Sequence, residues 1–192
     1  SKSFYGTGAA KIPLVKNVHS IIVGHTAPEF VTVFGYKMFL DQYGEAGHSV
    51  ILDSENEEMK ILKKLIGMGD TVIDVGANIG IYTLYSAVKI GNTVYSFEPH
   101  SVNYKNLLDS ISLNGLKNCY AFCFAVSNQT ALSSIQVKDL YEGVADNIVG
   151  VRGDYYHGCV EMSLDFLVKK GILPQPDYIK IDVDGFEDKV VL

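Results

Sequence analysis

The sequence predicts an α/β fold with a doubly wound parallel sheet, on three observations. Strand-like and helix-like segments alternate from residue 71 onward. A glycine-containing turn, Asp74-Val75-Gly76-Ala77-Asn78-Ile79-Gly80, follows the first strand of that alternation, and an acidic residue, Glu98, closes the second. Alternating strands and helices pack as a parallel sheet with right-handed crossovers and helices on both faces. The composition agrees: 192 residues, 47% hydrophobic and 20% charged, can bury a core and do not read as a disordered or repetitive chain.

The elements follow in order. Residues 1 to 28 are weakly patterned. From Phe30 to Leu52 three short runs, FVTVF, YKMFL and HSVIL, are rich in β-branched and aromatic residues and are separated by turn residues. They predict a small antiparallel hairpin or meander, a β-rich N-terminal appendage over 1–53 ahead of the main domain over 54–192. Ser54 and Glu57 form an S-x-x-E capping box. Met59, Leu62, Leu65 and Ile66 then recur at helical spacing, and Gly67 can end that helix.

TVIDVG (71–76) reads as a buried strand, Ile79 to Lys89 as a helix and TVYSFE (93–98) as a second strand. Pro99 opens a helix from about Ser101 to Leu113. CYAFCFAV (119–126) reads as a third strand, and ALSSIQV (131–137) as an edge strand followed by a loop to Gly158. Ser163 caps the short helix SLDFLVKKG, and DYIKID (177–182) is the fourth parallel strand. The sequence stops at Leu192, inside what should be the next helix.

The glycine turn carries the chemistry. Gly76 lets the backbone bend sharply, and Gly80 lets the helix start lie close to its neighbours and to a ligand. The helix N-terminus offers free N–H groups to a polar or anionic ligand. Asp74 is expected to face the same crevice. The spacing is G-x-x-x-G, not the G-x-G-x-x-G of dinucleotide binders, and Asn78 occupies the slot where a diphosphate needs glycine. A ligand without phosphates fits better. Glu98 lies 22 residues after Gly76, close to the offset at which an acidic residue accepts from both ribose hydroxyls.

Four motifs in this order, DVGANIGIYT (74–83), YSFEPHSVNYKNL (95–107), MSLDFL (162–167) and IKIDVDGFE (179–187), resemble the FkbM-type methyltransferases. The resemblance runs from about Val31 to the last residue. It implies a Rossmann-like class I methyltransferase fold, the first strand central, and S-adenosylmethionine as cofactor across the carboxyl ends of strands one to three. It also implies O-methylation of a hydroxyl, often on a sugar, lipid or polyketide-like product. By that resemblance Asp74, Gly76, Ala77, Asn78 and Gly80 hold the methionine end of the cofactor and Glu98 the ribose. His100 lies close to the adenosine, Ala125, Val126 and Ser127 border the adenine, and Asp182 lies near the sulfonium and the acceptor.

Two departures stand out. Asp184 replaces the Glu of the more familiar D-V-E-G, keeping the charge with a shorter reach. Strands five to seven of the class I fold are missing, so the sheet is expected to be cut short after its fourth strand. Such a sheet has an exposed edge that pairs in a homodimer or is covered by further chain. A hydroxyl acceptor must lose its proton, and Asp182, Asp184 and Glu187 are the expected bases, with His157 also in range of the role or simply a surface histidine. Asp182, Asp184 and Glu187 also read as a loose Mg²⁺ site or as a plain polar rim, and no metal is assigned. Lys180, sharing a strand face with Tyr178 and Asp182, needs a carboxylate partner if buried.

Charge and cysteines bound the setting. The net charge of −6 and the lack of a basic stripe argue against a nucleic-acid partner. The expected partner is a small-molecule or glycan hydroxyl acceptor. Cys119, Cys123 and Cys159 are too few for a disulfide framework and read as reduced, mostly buried side chains, which points to the cytoplasm. No membrane span is expected: the stretch from Ile21 to Leu40 is broken by His25, Pro28, Glu29 and Lys37. No signal peptide shows, and the start at Ser1 rather than Met reads as a trimmed N-terminus. His19, His25 and His48 form no ligand set. A truncated or non-catalytic relative that binds a ligand without turnover is the competing reading. A nicotinamide dehydrogenase is disfavoured by the missing G-x-G.

Overall fold

The structure is a computed structural model, and it describes residues 30–33, 35–39, 57–88, 92–137, 155–183 and 185–191. The expected run HSVIL, the Ser54–Glu57 capping pair, His19, His25, His48 and Asp184 have side chains outside the described residues. In chain order the elements are β1 (Phe30–Val33), β2 (Tyr36–Phe39), α1 (Glu57–Leu65), β3 (Thr71–Val75), α2 (Ile81–Val88), β4 (Thr93–Phe97) and α3 (Ser101–Leu113). There follow β5 (Cys119–Phe122), β6 (Ala125–Val126), β7 (Ala131–Val137), β8 (Tyr155–Met162), α4 (Leu164–Lys169), β9 (Tyr178–Ile181) and α5 (Glu187–Val191). Among these residues no helix is long and apolar enough to cross a membrane.

The centre is a parallel sheet in the order β5-β4-β3-β9, with Ile73 beside both Tyr95 and Ile179. It is the expected α/β sheet, with the first strand of the alternation between the second and the fourth. Successive residues of β3 point to opposite faces. Val72, with Val94, packs on Met59 and Leu62 of α1 and Ala87 of α2. Ile73 and Val75, with Phe97, pack on Leu167 of α4 and on Leu173. Both faces are covered, which is why TVIDV reads as a continuous apolar run broken only by Asp74. Of the expected apolar face of α1, Met59, Leu62 and Ile66 are buried, but Leu65 is 60% exposed. Four apolar residues within eight span more of a helix circumference than one contact can cover.

The β1–β2 hairpin forms as expected, with Phe30 opposite Phe39 and Gly35 turning at φ 86°. It lies on α3: the Phe39 N–H donates to the Ser110 hydroxyl at 2.9 Å. The Asn114 side chain accepts from the Lys37 N–H at 2.9 Å and donates to the Lys37 carbonyl at 2.6 Å. Val33 and Met38 thereby share a core with Leu84, Leu107 and Ile111. At the other end, the Asp177 carboxylate accepts from the Thr71 N–H at 2.8 Å and the Asp177 N–H donates to the Thr71 carbonyl at 2.9 Å, which sets the register of β9. The Ser163 hydroxyl caps α4 by accepting from the Phe166 N–H at 3.1 Å, as its sequence predicts.

Two expectations need correction. The third strand does not run through 119–126. It ends at Phe122, and Ala125–Val126 leave the central sheet to pair with β8. The Phe124 ring turns inward onto the Phe97 ring, 5.1 Å between centroids, and this packing bends the chain between the two strands. The stretch up to Gly158 is not all loop. Tyr155–Met162 form β8, antiparallel to β7 and parallel to β6, in a second sheet of order β6-β8-β7. β7 is an edge strand, as read.

Gly80 has φ 97°, and a Cβ there would meet Leu107 Cδ1 at 2.5 Å. Gly80→Ala is therefore expected to cost about 2–4 kcal/mol, from left-handed backbone strain plus overpacking against α3. Urea denaturation measures it; a loss under 0.5 kcal/mol would contradict the packing described.

Candidate functional site

The carboxyl ends of β3 and β4 meet above the sheet. The Gly76 and Ala77 N–H groups both donate to the Phe97 carbonyl at 3.0 Å, so the glycine turn folds back over β4. Gly76 (φ 72°) has no room for a side chain: a Cβ would collide with the Asp182 carbonyl oxygen at the tip of β9. Asn78 takes φ 50°, a left-handed conformation that asparagine tolerates better than most residues. This turn aims the Asn78 N–H at Glu98 Oε2, 2.8 Å away, while the His100 N–H donates to Glu98 Oε1 at 2.9 Å. The sequence expected the turn and Glu98 to share one crevice, and they do.

A cavity of about 440 Å³ opens over this junction, within the range of small-molecule sites. Gly76, Asn78, Glu98 and Pro99 line its floor, and Ala125, Val126 and Ser127 line one side. Asp182, Val183 and Phe186 form the rim beyond β9. The opposite wall is the β7–β8 hairpin, where Tyr156 lines the cavity and Ser133, Gln136 and Glu161 join it as residues outside the expected site set. β8 carries histidine, glycine and glutamate in mid-strand, so its strand character arises from pairing with β7 rather than from a local apolar pattern.

Several expected site residues stand behind the wall. Asp74 does not face the crevice. It is buried beneath the turn, where Thr83 Oγ1 donates to its Oδ2 at 2.6 Å and Lys180 Nζ lies 3.3 Å from its Oδ1. Ala77 and Gly80 are packed inside the turn, Gly80 against Leu107. His100 is buried, its ring 5.7 Å from that of His157 on β8. Burial, with the neighbouring His157, pulls the His100 pKa down to about 4, so the ring is neutral at physiological pH. Glu187 is exposed, accepting from the Gly185 N–H at 3.1 Å. Of the cysteines, Cys123 is exposed and Cys119 and Cys159 are partly buried, so the expectation of burial holds only in part. Burial pushes the Cys119 thiol up to about 12, which leaves it unreactive.

The electrostatics favour a cationic ligand. Three carboxylates, Glu98, Glu161 and Asp182, line the cavity against Lys189 as the single lysine among the described lining residues. Burial raises the Glu161 pKa, but donors from Ser133, Gln129 and Ser127 outweigh it and hold the carboxylate below its usual value. Glu98 goes the other way. Burial pushes it up to about 7, only partly offset by the His100 and Asn78 N–H groups and by Lys180.

This is a Rossmann-like α/β domain of the class I methyltransferase type, with its site at the carboxyl end of the sheet where such folds bind nucleoside ligands. Residues 74–191 match the family model described as the methyltransferase FkbM domain, and the chain belongs to that family, whose cofactor is S-adenosylmethionine. The donor set fits that group: a carboxylate for a ribose diol, apolar walls from Val126 and Val183 for a base, and net negative charge for a sulfonium. Among solved structures, the chain is similar to Trm5b from Pyrococcus abyssi (20% identity, 51% of this chain and 30% of that one, TM-score 0.40). It is also similar to TYW2 from M. jannaschii in complex with AdoMet (23%, 48% and 41%, 0.38) and to a SAM-dependent methyltransferase from Aquifex aeolicus (22%, 49% and 54%, 0.36). The chain thus spans less than two thirds of each of these proteins. No curated protein matches.

Glu98 makes the free domain pH-sensitive. Its folded pKa is raised, so the stability it contributes is full below about pH 4.5 and is lost as pH rises toward 7. Glu98→Gln never charges, and its amide NH2 replaces one of the two oxygens that accept N–H groups, which costs a constant amount at every pH; relative to the parent it is expected to gain roughly 3 kcal/mol in stability between pH 4.5 and pH 8. Urea midpoints at the two pH values test this; an equal difference at both would contradict it.

Proposed function

We propose that the chain is the cofactor-binding core of an S-adenosylmethionine-dependent methyltransferase that methylates a hydroxyl on a small molecule, sugar or glycolipid. The observation that carries the reading is the pair of N–H bonds from Asn78 and His100 to Glu98, which joins two strand-to-helix turns into one floor. The cofactor supplies a methyl group already activated on a sulfonium, so the protein's work is to position the pair and exclude water. Glu98 would accept from the ribose hydroxyls. The Ala125–Ser127 segment, braced by the Ser127 N–H donating to the Met162 carbonyl at 3.0 Å, would flank the base.

A hydroxyl acceptor has to give up a proton. Asp182 suits this best, because it lines the cavity and is half exposed, so it meets both cofactor and incoming acceptor. Asp184 and Glu187, which follow it closely in sequence, remain candidates for the same role. The net charge of −6 and the carboxylate-rich cavity favour an uncharged or cationic acceptor over nucleic acid. Free thiols at Cys119, Cys123 and Cys159 support a cytoplasmic setting. A second copy of the chain is the partner that would cover the β9 edge, where Ile179 is exposed.

Calorimetry with S-adenosylhomocysteine and transfer of labelled methyl to a panel of hydroxylated acceptors test the reading. Binding is expected, weakened at least tenfold by Glu98→Ala. Asp182→Asn is expected to lower turnover by about 10²–10⁴ with little change in S-adenosylhomocysteine affinity. Binding without transfer to any acceptor would favour a non-catalytic role, and no binding at high micromolar ligand would contradict the reading.

A further inference from the structure

Lys180 is the buried cation beneath the site. Its side chain is 12% exposed, and its ammonium lies 3.3 Å from Asp74 Oδ1 and 3.4 Å from Asp182 Oδ2. It also donates to the Gly76 carbonyl at 3.0 Å and sits 4.7 Å from the centroid of the Tyr82 ring. The ammonium therefore reaches three different segments: it hydrogen-bonds the glycine turn and forms ion pairs with the end of β3 and the tip of β9. The placement is forced by register. Lys180 pairs with Asp74 across parallel strands, and Asp182 follows two residues on, on the same face.

The two aspartates differ in what holds them. Asp74 is buried and also accepts from Thr83, so it cannot turn away. Asp182 is 52% exposed, and no other described side chain is shown bonded to its carboxylate. An exposed carboxylate on a strand tip is free to rotate into water unless something holds it at the rim. Lys180 is that restraint, and the trio it completes has a net charge of −1. Burial disfavours the charged ammonium, but Asp74 and then Asp182 outweigh that and raise its pKa, so Lys180 stays protonated.

We propose that Lys180 is a positioning residue: by tethering the Asp182 carboxylate at the cavity rim, it makes the site prefer a ligand with a positive charge at the reacting centre over the neutral thioether left after methyl transfer. The inference rests on the cofactor reading above and adds a reason why product would leave the site. Without Lys180, Asp74 loses its counter-charge and Asp182 turns to solvent. A lysine acting only as a structural brace would weaken both ligands alike.

The experiment compares S-adenosylhomocysteine with sinefungin, a non-reactive analogue carrying an ammonium near the sulfonium position, by calorimetry on the whole chain. The parent is expected to bind sinefungin about fivefold more tightly, the upper end for a partly exposed charge pair. Lys180→Met is expected to bring the ratio close to one, and Lys180→Arg to restore most of it. Asp182→Asn should abolish the preference while leaving the melting temperature within a degree or two, since that side chain is half exposed; this variant decides the matter if Lys180→Met does not fold. A preference that survives Asp182→Asn, or equal weakening of both ligands in Lys180→Met, overturns the proposal. If the parent binds neither ligand, the cofactor reading itself has failed and the inference falls with it.

Discussion

One carboxylate receives two backbone N–H groups that belong to different strand-to-helix turns. The bonds from Asn78 and His100 to Glu98 tie the ends of β3 and β4 together and leave the remaining lone pairs of the carboxylate for a ligand. Much of the surrounding architecture serves that arrangement. Gly76 must lack a side chain for the turn to pass under the Asp182 carbonyl, and Gly80 for α2 to lie on Leu107. The Phe97 carbonyl, accepting from Gly76 and Ala77, sets the height of the turn above the sheet.

The arrangement stores energy as well as shape. A buried carboxylate is costly when charged. In this domain it is compensated by backbone donors and by Lys180 at a distance, and the balance leaves Glu98 with a pKa of about 7. A ligand that donates hydrogen bonds to the charged form recovers part of that cost on binding. The free domain is thus less stable than it could be at neutral pH, which is the usual relation between a binding site and its scaffold. Asp74 and Lys180 form a second buried pair one layer below, and the half-exposed Asp182 links that layer to the cavity.

The parts of this structure legible in the sequence are those where one residue type answers one local demand. The continuous apolar run of β3, the two glycines of the turn, the acidic end of β4 and the Ser163 cap each follow from backbone or burial physics acting within a few residues. Lys180 was readable as needing a carboxylate, though not which one, because its pairing with Asp74 depends on β9 lying beside β3. Of the β7–β8 wall, β7 is legible as an edge strand, but β8 and the pairing of the two are not. Its strands draw stability from each other across a long connection, and Tyr155 to Met162 carry no strong alternation. The break after Phe122 was hidden for the same reason: CYAFCFAV is uniformly apolar, and only the packing of Phe124 on Phe97 divides it. Asp74 was misplaced because its position at a strand end resembles that of a ligand-facing residue, while the Thr83 hydroxyl that claims it comes from the following helix.

The most direct test of the account is a crystal structure of the chain soaked with S-adenosylhomocysteine. The expected density puts both ribose hydroxyls within about 3 Å of the Glu98 carboxylate, with the Asn78 and His100 N–H bonds intact. A nucleoside bound elsewhere, or a ribose whose hydroxyls face solvent while Glu98 keeps only its backbone donors, would contradict it.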